Sequence, residues 1–177
     1  MNLLDSHDTA RFLSVARGDV ASLKLAMLTM FTYVGAPTIY YGDEIALEGR
    51  RDPDCRRAMI WNPGNVNLET FQYIKRLTAL RKKFAALRRG TFTSLYTEGK
   101  TVAFARQFEN ETVIIAINAG HEPISLDLRL DKLVPNGSRL VKEWMKEETI
   151  VMGGFANNLR IPARDGCVWN VPSNPSS

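Results

Sequence analysis

A histidine and an aspartate stand side by side near the start of the chain, in the stretch NLLDSHDTARF at residues 2–12. This pair, His7 and Asp8, follows a short apolar run, and Arg11 comes shortly after it. An imidazole and a carboxylate can exchange protons and can hydrogen-bond to hydroxyl groups. Taken alone, the two residues favour a simpler interpretation, in which a surface histidine lies beside a helix-capping aspartate in an Asx turn.

Two other pairs of polar residues could take part in chemistry. Asp43 and Glu44 have the composition of a general acid and base, but adjacent side chains of an extended segment point to opposite faces. We therefore interpret them as capping and hydrogen-bonding groups that shape a loop. Asp52 and Arg56 lie in the stretch RDPDCRRAMIW. A carboxylate accepts hydrogen bonds and a guanidinium donates several, and the simplest interpretation of these two residues alone is an ion pair on the surface of a flexible loop.

Short strands and a long loop are expected to position these groups. Residues 2–4 and 37–42 are apolar, β-branched or aromatic runs typical of buried strands. Residues 43–66 are rich in Gly, Pro, Asp and Arg, which predicts a long functional loop. The His7–Asp8 pair therefore follows the first predicted strand, and the loop with Asp52 and Arg56 follows the second.

Apolar residues at helical spacing predict two helices. The first covers residues 19–34, with Asp19 as its N-cap, and is apolar nearly all round in its second half. The second covers about 67–88, with Asn67 as its N-cap and an apolar stripe of Leu68, Phe71, Ile74, Leu77, Leu80, Phe84 and Leu87. The order strand, helix, strand, helix is that of a parallel sheet covered by helices.

Beyond Gly90 the apolar period changes from that of a helix to that of a strand. Strands are predicted at 91–98, 101–108, 112–118, 124–130, 139–144, 159–163 and 167–171. The short pieces EGK and ENE between them are expected to be hairpin connections. This pattern predicts an antiparallel β-sandwich over residues 91–177, after an α/β part over residues 1–90.

Composition excludes several classes of protein. The chain has 177 residues, of which 45% are hydrophobic and 24% are charged, so it can bury the core of one or two domains. No apolar run approaches the ~20 residues that span a bilayer, so no membrane partner is expected. The first residues lack the pattern of a secretory signal. Cys55 and Cys167 are far apart, which favours reduced thiols in the cytoplasm over a disulfide framework, and no metal or cofactor is expected.

The net charge of +4 is concentrated in residues 75–89. We favour a solvated helix face here over a nucleic-acid-binding surface, because no stacking aromatic residue or known nucleic-acid motif accompanies the cations. No nucleic acid is therefore expected as a partner.

Three ordered motifs resemble the α-amylase family of glycoside hydrolases. The stretch NLLDSHDTARF is similar to the family's region with an asparagine before a His-Asp pair, and GAPTIYYGDE at 35–44 is similar to its eighth-strand segment. The stretch RDPDCRRAMIW at 51–61 resembles the following loop of the cyclomaltodextrinase, neopullulanase and maltogenic amylase branch. The resemblance implies the last two βα units of a (β/α)8 TIM barrel followed by the β-sandwich.

The resemblance also implies a role for each candidate site residue. Asp8 would stabilise the transition state, and His7 would hydrogen-bond a hydroxyl group of the same glucose unit. Asp52 and Arg56 would bind the neighbouring sugar, and one of the two adjacent tyrosines, Tyr41, would face the substrate. By their own types and positions, four further residues are expected to support the site structurally, namely Asn2, Arg11, Asp43 and Glu44.

The same resemblance implies that the chain is the last part of a larger enzyme. The family's aspartate nucleophile and glutamate acid/base belong to earlier strands, and no stretch of the chain is similar to those motifs. The chain alone is then expected to be inactive, with an upstream barrel segment as partner and an α-1,4- or α-1,6-linked glucan or cyclodextrin as substrate. Alternative functions are a non-catalytic sandwich that binds carbohydrate or forms a homo-oligomer, and a basic nucleic-acid-binding protein.

Overall fold

The computed structural model describes residues 1–172 and divides into two compact units, one of Met1–Lys83 and one that begins at Phe84. The first unit contains the helices α1 (Phe12–Val15), α2 (Val20–Thr32) and α3 (Leu68–Lys83). Its loops contain 3₁₀ turns at Asp43–Ile45, Asp54–Arg56 and Pro63–Asn65. No helix within residues 1–172 is both long enough and apolar enough to cross a membrane.

Helix α2 forms the core of the first unit. Asp19 caps it as predicted, because its carboxylate accepts from the Ser22 backbone N–H at 3.2 Å and from the Ser22 hydroxyl at 3.1 Å. The second half of the helix is buried, with Met27 and Leu28 fully enclosed. At the other end, the guanidinium of Arg81 donates to the carbonyl oxygens of Phe31, at 2.6 Å, and Gly35. One cation of the basic segment therefore supports the end of α2.

Helix α3 packs on α2 and is shorter than the pattern predicted. Asn67 caps it as predicted, and Ile74, Leu77 and Leu80 are buried. Two members of the predicted apolar stripe, Leu68 and Phe71, are exposed instead. The expected helix over 67–88 is wrong at Phe84, whose extended backbone (φ −104°, ψ 117°) separates α3 from the short helix α4 (Ala85–Arg89).

The predicted strands at 2–4 and 37–42 are reduced to a single parallel bridge between Asn2 and Pro37. The Asn2 backbone N–H donates to Ala36 O, and its carbonyl accepts from the Thr38 N–H, both at 2.7 Å. Its side chain donates to Val34 O at 2.7 Å. Parallel strands are stable when other strands and helices flank them, so an isolated pair forms little regular structure.

The second unit is the antiparallel β-sandwich that the sequence predicts. Its strands are β1 (Thr91–Glu98), β2 (Thr101–Phe108), β3 (Glu111–Asn118), β4 (Ile124–Arg129), β5 (Arg139–Lys142), β6 (Glu148–Ile150), β7 (Phe155–Ile161) and β8 (Asp165–Val171). One sheet has the order β1-β2-β3-β8-β5-β6 and the other pairs β4 with β7. The sequence missed β6, which is short and carries no alternating apolar pattern.

The core of the sandwich lies between the two sheets. It contains Ile114 from β3, Leu128 from β4 and Trp169 from β8, all buried. Arg106 of β2 is buried as well, and its guanidinium donates to the carbonyl oxygens of Leu87 at 3.3 Å and Gly90 at 2.9 Å. This side chain satisfies carbonyl groups at the end of α4, which no longer have partners within the helix.

Candidate active site

His7 and Asp8 lie in a tight turn between the Asn2 bridge and α1. The Ser6 hydroxyl accepts from the Asp8 backbone N–H at 3.1 Å, and the Thr9 hydroxyl accepts from the Ser6 N–H at 2.9 Å. The two site side chains remain exposed, at 63% for His7 and 69% for Asp8, and their Nε2 and Oδ1 atoms are 3.2 Å apart. The backbone of the turn is therefore held locally, while both functional groups are free to meet a ligand.

The loop that carries Asp52 and Arg56 docks on this turn. The Nε atom of Arg56 lies 2.9 Å from Asp52 Oδ1 and donates to the carbonyl oxygen of His7 at 3.1 Å. Its Nη2 atom lies 3.9 Å from Asp8 Oδ1. Cys55, which is buried, donates from Sγ to the same His7 carbonyl at 3.3 Å. Residues from two separate sequence motifs thus form one polar cluster, which consists of His7, Asp8, Asp52 and Arg56.

Arg11 holds the segments beside the polar cluster together. Its guanidinium is fully buried and donates to Tyr41 O at 2.8 Å, while its backbone N–H donates to Gly49 O at 2.8 Å. The same guanidinium lies over the rings of Tyr40 and Tyr41, with its carbon 4.5 and 4.9 Å from their centroids. A cation over an aromatic face is favourable, and more so when water is excluded.

Asp43 and Glu44 lie in a 3₁₀ turn, so the expected extended segment is wrong at this point. Asp43 accepts from the Tyr40 N–H at 3.2 Å, and Glu44 accepts from the Gly42 N–H at 2.8 Å. Both carboxylates bind local backbone, and within residues 1–172 no hydrogen bond joins either of them to the polar cluster. Gly42 permits the turn, because its φ of +93° and the nearby Leu47 side chain, 2.6 Å from a hypothetical Cβ, disfavour any other residue.

Tyr41 is half exposed, and its hydroxyl is engaged with the protein. The hydroxyl donates to Arg57 O at 2.8 Å, which ties the segment after the bridge to the loop of the polar cluster. Arg57 itself forms an ion pair with Asp54, at 2.6 Å between Nε and Oδ1. This pair lies beside the cluster and holds the loop in its turn.

Sequence reasoning missed two buried residues of this region, Asp5 and Cys55. Asp5 accepts from the Phe12 N–H at 2.5 Å and thereby fixes the start of α1. A carboxylate directly after the apolar residues Leu3 and Leu4 was the available signal, because a charge at the end of a buried run needs a partner. The sequence offers no comparable signal for the contact of Cys55 with His7.

The polar cluster is chemically suited to a polyhydroxyl ligand. It offers carboxylates that accept hydrogen bonds, a planar guanidinium that donates several, and an imidazole that can donate or accept. Within residues 1–172 no group of three or more His, Cys, Asp or Glu side chains has the arrangement of a metal site.

Comparison with known proteins shows the family of the chain. Residues 1–90 match the family described as alpha amylase, catalytic domain, and residues 92–170 match the neopullulanase-like C-terminal domain. The chain belongs to the α-amylase family. Its fold is accordingly the end of a TIM barrel followed by a β-sandwich.

Relatives of this α-amylase-family chain are considerably longer. A cyclomaltodextrinase of Geobacillus thermopakistaniensis is 45% identical over 132 residues, which are 73% of this chain and 22% of the relative. Neopullulanase 2 of Thermoactinomyces vulgaris is 44% identical over 119 residues, 66% of this chain and 20% of the relative. The solved α-amylase of Geobacillus thermoleovorans, complexed with acarbose, superposes with a TM-score of 0.89 at 32% identity and covers 98% of this chain and 39% of that one. The chain thus spans about a fifth of the length of these curated relatives.

Proposed function

We propose that the polar cluster is the sugar-binding part of an active site in a retaining glycoside hydrolase that acts on α-glucans or cyclodextrins. The observation that carries this proposal is that Arg56 contacts both the His7 carbonyl oxygen and Asp52. Arg56 and His7 are 49 residues apart in the sequence, so this contact joins two separate motifs. A surface ion pair alone would need no such convergence. The membership of the chain in the α-amylase family supports the same function.

Each member of the polar cluster has a distinct role in this proposal. The Asp8 carboxylate faces the sugar ring on which positive charge develops, and its hydrogen bonds to ring hydroxyls strengthen as the transition state forms. His7 donates to a hydroxyl of the same sugar. Arg56 and Asp52 bind the adjacent sugar, since a guanidinium and a carboxylate offer donors and acceptors together. Tyr41 places the loop through its hydrogen bond to Arg57 O.

The reacting carboxylates belong to another part of the enzyme in this proposal. Retention requires a nucleophile and an acid ~5 Å apart on either side of the glycosidic bond. Asp8 Oδ1 and Asp52 Oδ1 both lie within 4 Å of the Arg56 guanidinium, and the proposal assigns both carboxylates to sugar binding. The chain would act as part of a longer enzyme, with residues 1–90 completing the barrel and residues 91–172 forming the appended sandwich. Its coverage of 22% of the Geobacillus cyclomaltodextrinase supports this.

A transplantation experiment tests the proposal. The matching segment of the Geobacillus thermopakistaniensis cyclomaltodextrinase is replaced by residues 1–172 of this chain, and the chimera is assayed for cyclodextrin hydrolysis beside the relative lacking that segment. We expect turnover by the chimera and none by the truncated relative. A chimera that is folded by circular dichroism and gel filtration, and that shows no turnover, would overturn the proposal.

A further inference from the structure

Gly49 is buried and directly precedes the loop over residues 50–57, which carries two members of the polar cluster. A Cβ added to Gly49 would lie 2.7 Å from the carbonyl oxygen of Asp54 and 3.0 Å from the Cα of Cys55, and both of these are backbone atoms. It would also lie 3.2 Å from the Cδ of Arg11. Backbone atoms cannot rotate away as the end of a flexible side chain can, so the loop approaches this closely only because position 49 has no side chain.

Two hydrogen bonds fix the backbone of Gly49 on the start of α1. Its carbonyl oxygen accepts from the Arg11 N–H at 2.8 Å, and its N–H donates to the Ser14 hydroxyl at 2.9 Å. Arg11 directly precedes α1, and Ser14 lies within it. The turn that carries His7 and Asp8 leads into the same helix. Gly49 is therefore held in place relative to that turn.

The loop beyond Gly49 is closed by its own hydrogen bonds. The Asp54 carboxylate accepts from the Arg50 N–H at 2.7 Å, which joins the two ends of the loop's first turn. The Arg56 N–H donates to the carbonyl oxygen of Pro53 at 3.0 Å. These bonds connect Arg56 to the residues that lie against Gly49, so a displacement of the Asp54 backbone moves Arg56 as well.

The loop reaches the turn of the polar cluster through one carbonyl oxygen. Arg56 Nε and Cys55 Sγ both donate to His7 O, at 3.1 and 3.3 Å. A contact that lengthens to about 3.6 Å is no longer a hydrogen bond, so a small displacement of the loop is enough to break these two. A side chain at position 49 is therefore expected to separate Arg56 from the turn of His7.

We propose that Gly49 is a positioning residue of the candidate active site, because its close contact with the loop sets the reach of Arg56 towards the His7–Asp8 turn. Gly49 thereby fixes the spacing between the two parts of the polar cluster that bind adjacent sugars. The consequence for sugar binding rests on the proposed function. The position of Arg56 relative to His7 rests only on the contacts of Gly49.

The position of Arg56 is tested by NMR on the whole chain, through the carbonyl carbon of His7. A carbonyl carbon resonates further downfield when its oxygen accepts a hydrogen bond. We expect Gly49→Ala to move the His7 carbonyl signal upfield at least as far as Arg56→Ala does, while the α2 amides keep their protection from hydrogen exchange. An unmoved His7 carbonyl signal in folded Gly49→Ala would overturn the proposal.

Gly64→Ala is the matched control, since a Cβ at position 64 meets nothing closer than the Asn62 side-chain oxygen at 3.4 Å. It should leave the His7 carbonyl signal in place, and an equal shift in this control would count against a specific role of Gly49.

A second variant decides the case in which Gly49→Ala unfolds the first unit. Ser14→Ala adds no bulk and removes the acceptor of the Gly49 N–H, so it releases Gly49 from α1 without a clash. We expect the His7 carbonyl signal to move upfield in Ser14→Ala while α2 stays protected. An unmoved signal would contradict the proposal.

A double-mutant cycle in the cyclomaltodextrinase chimera separates positioning from general packing. Gly49→Ala should lower kcat/KM for long oligosaccharides relative to short ones, as Arg56→Ala does, and should add no further selective loss once Arg56 is alanine. Equal losses on all substrates, additive with those of Arg56→Ala, would show a packing role instead. If Arg56→Ala itself spares long substrates, the proposed sugar-binding role of Arg56 fails, whereas the NMR result for Gly49 is unaffected.

Discussion

Arg56 donates from Nε to the carbonyl oxygen of His7 at 3.1 Å, and this single contact brings the two reactive stretches of the sequence together. The turn of His7 offers its carbonyl to the loop, and the thiol of Cys55 binds the same oxygen. The loop thus anchors itself on backbone, which leaves the imidazole of His7 and the carboxylate of Asp8 exposed. The backbone carbonyl of His7 therefore holds the loop in place, while the side chains of His7 and Asp8 stay available to a ligand.

Replacement of Arg56 is expected to affect long substrates more than short ones. In the cyclomaltodextrinase chimera, Arg56→Ala should lower kcat/KM for oligosaccharides that reach the neighbouring subsite by a factor equivalent to about 1.5–3 kcal/mol, the range of a charge-assisted hydrogen bond. Arg57→Ala is the matched control, because Arg57 pairs with Asp54 beside the cluster. Equal losses on short and long substrates would show that Arg56 serves only to hold the loop.

Arg11 is expected to be essential for the stability of the first unit. Arg11→Met leaves the Asp43 carboxyl buried without its cation, which should cost about 3–5 kcal/mol. Combining it with Asp43→Asn should recover part of this loss, because the carboxyl that loses its cation is then replaced by a neutral amide. Native-state hydrogen exchange of the α2 amides measures the stability of the first unit separately from that of the sandwich.

The exposed arginine Arg129 provides the control for this experiment. Arg129→Met removes a surface ion pair with Asp131 and should leave hydrogen exchange unchanged throughout. Unchanged protection of α2 in Arg11→Met would contradict the structural role given to Arg11.

Gly90 is expected to tolerate no side chain. A Cβ at this position would lie 2.4 Å from Ala86 O and 2.6 Å from Gln107 O, both of them backbone atoms. Gly90→Ala should therefore destabilise the sandwich by about 1–3 kcal/mol, as measured by urea unfolding followed by tryptophan fluorescence. Gly64→Ala is the control, because its nearest neighbour is the Asn62 side-chain oxygen at 3.4 Å. Equal midpoints for the two variants would show that the backbone at Gly90 moves freely.

Both thiols are expected to be unreactive in the folded chain. Cys55 and Cys167 are buried, and burial raises the pKa of Cys167 to about 11. Relative to the ordinary value of 9.0, the thiolate fraction of Cys167 at pH 8 falls roughly a hundredfold. Alkylation at pH 8 should therefore proceed at both sites only after denaturation, as mass spectrometry of the modified peptides can show. Rapid modification of Cys167 in the native chain would indicate that β8 is open to solvent.

The sequence predicted local secondary structure better than it predicted contacts between distant segments. The caps Asp19 and Asn67 and most strands of the sandwich follow from short-range patterns, and the structure confirms them. The strand predicted at 159–163 is wrong in its bounds, because β7 covers Phe155–Ile161. The strands around Asn2 and Pro37 were wrong in extent, because their regular pairing depends on neighbours rather than on their own residues.

The candidate site was predictable by residue type but not by arrangement. A hydrophobic pattern does not encode which loop docks on which turn, so the contact of Cys55 with His7 could not be foreseen. Nor does it indicate that Asp5, Arg11 and Asp43 are buried, since each of these residue types is ordinarily exposed.

The substitution Asp8→Asn in the cyclomaltodextrinase chimera tests the central claim most directly. If the Asp8 carboxylate interacts chiefly with the transition state, kcat for cyclodextrin should fall by about 10²–10³, while KM changes little. Asp131→Asn, which neutralises an exposed aspartate of the sandwich, should leave both constants unchanged. An Asp8→Asn chimera that keeps more than about a tenth of the parent kcat would contradict the role of Asp8 in the active site.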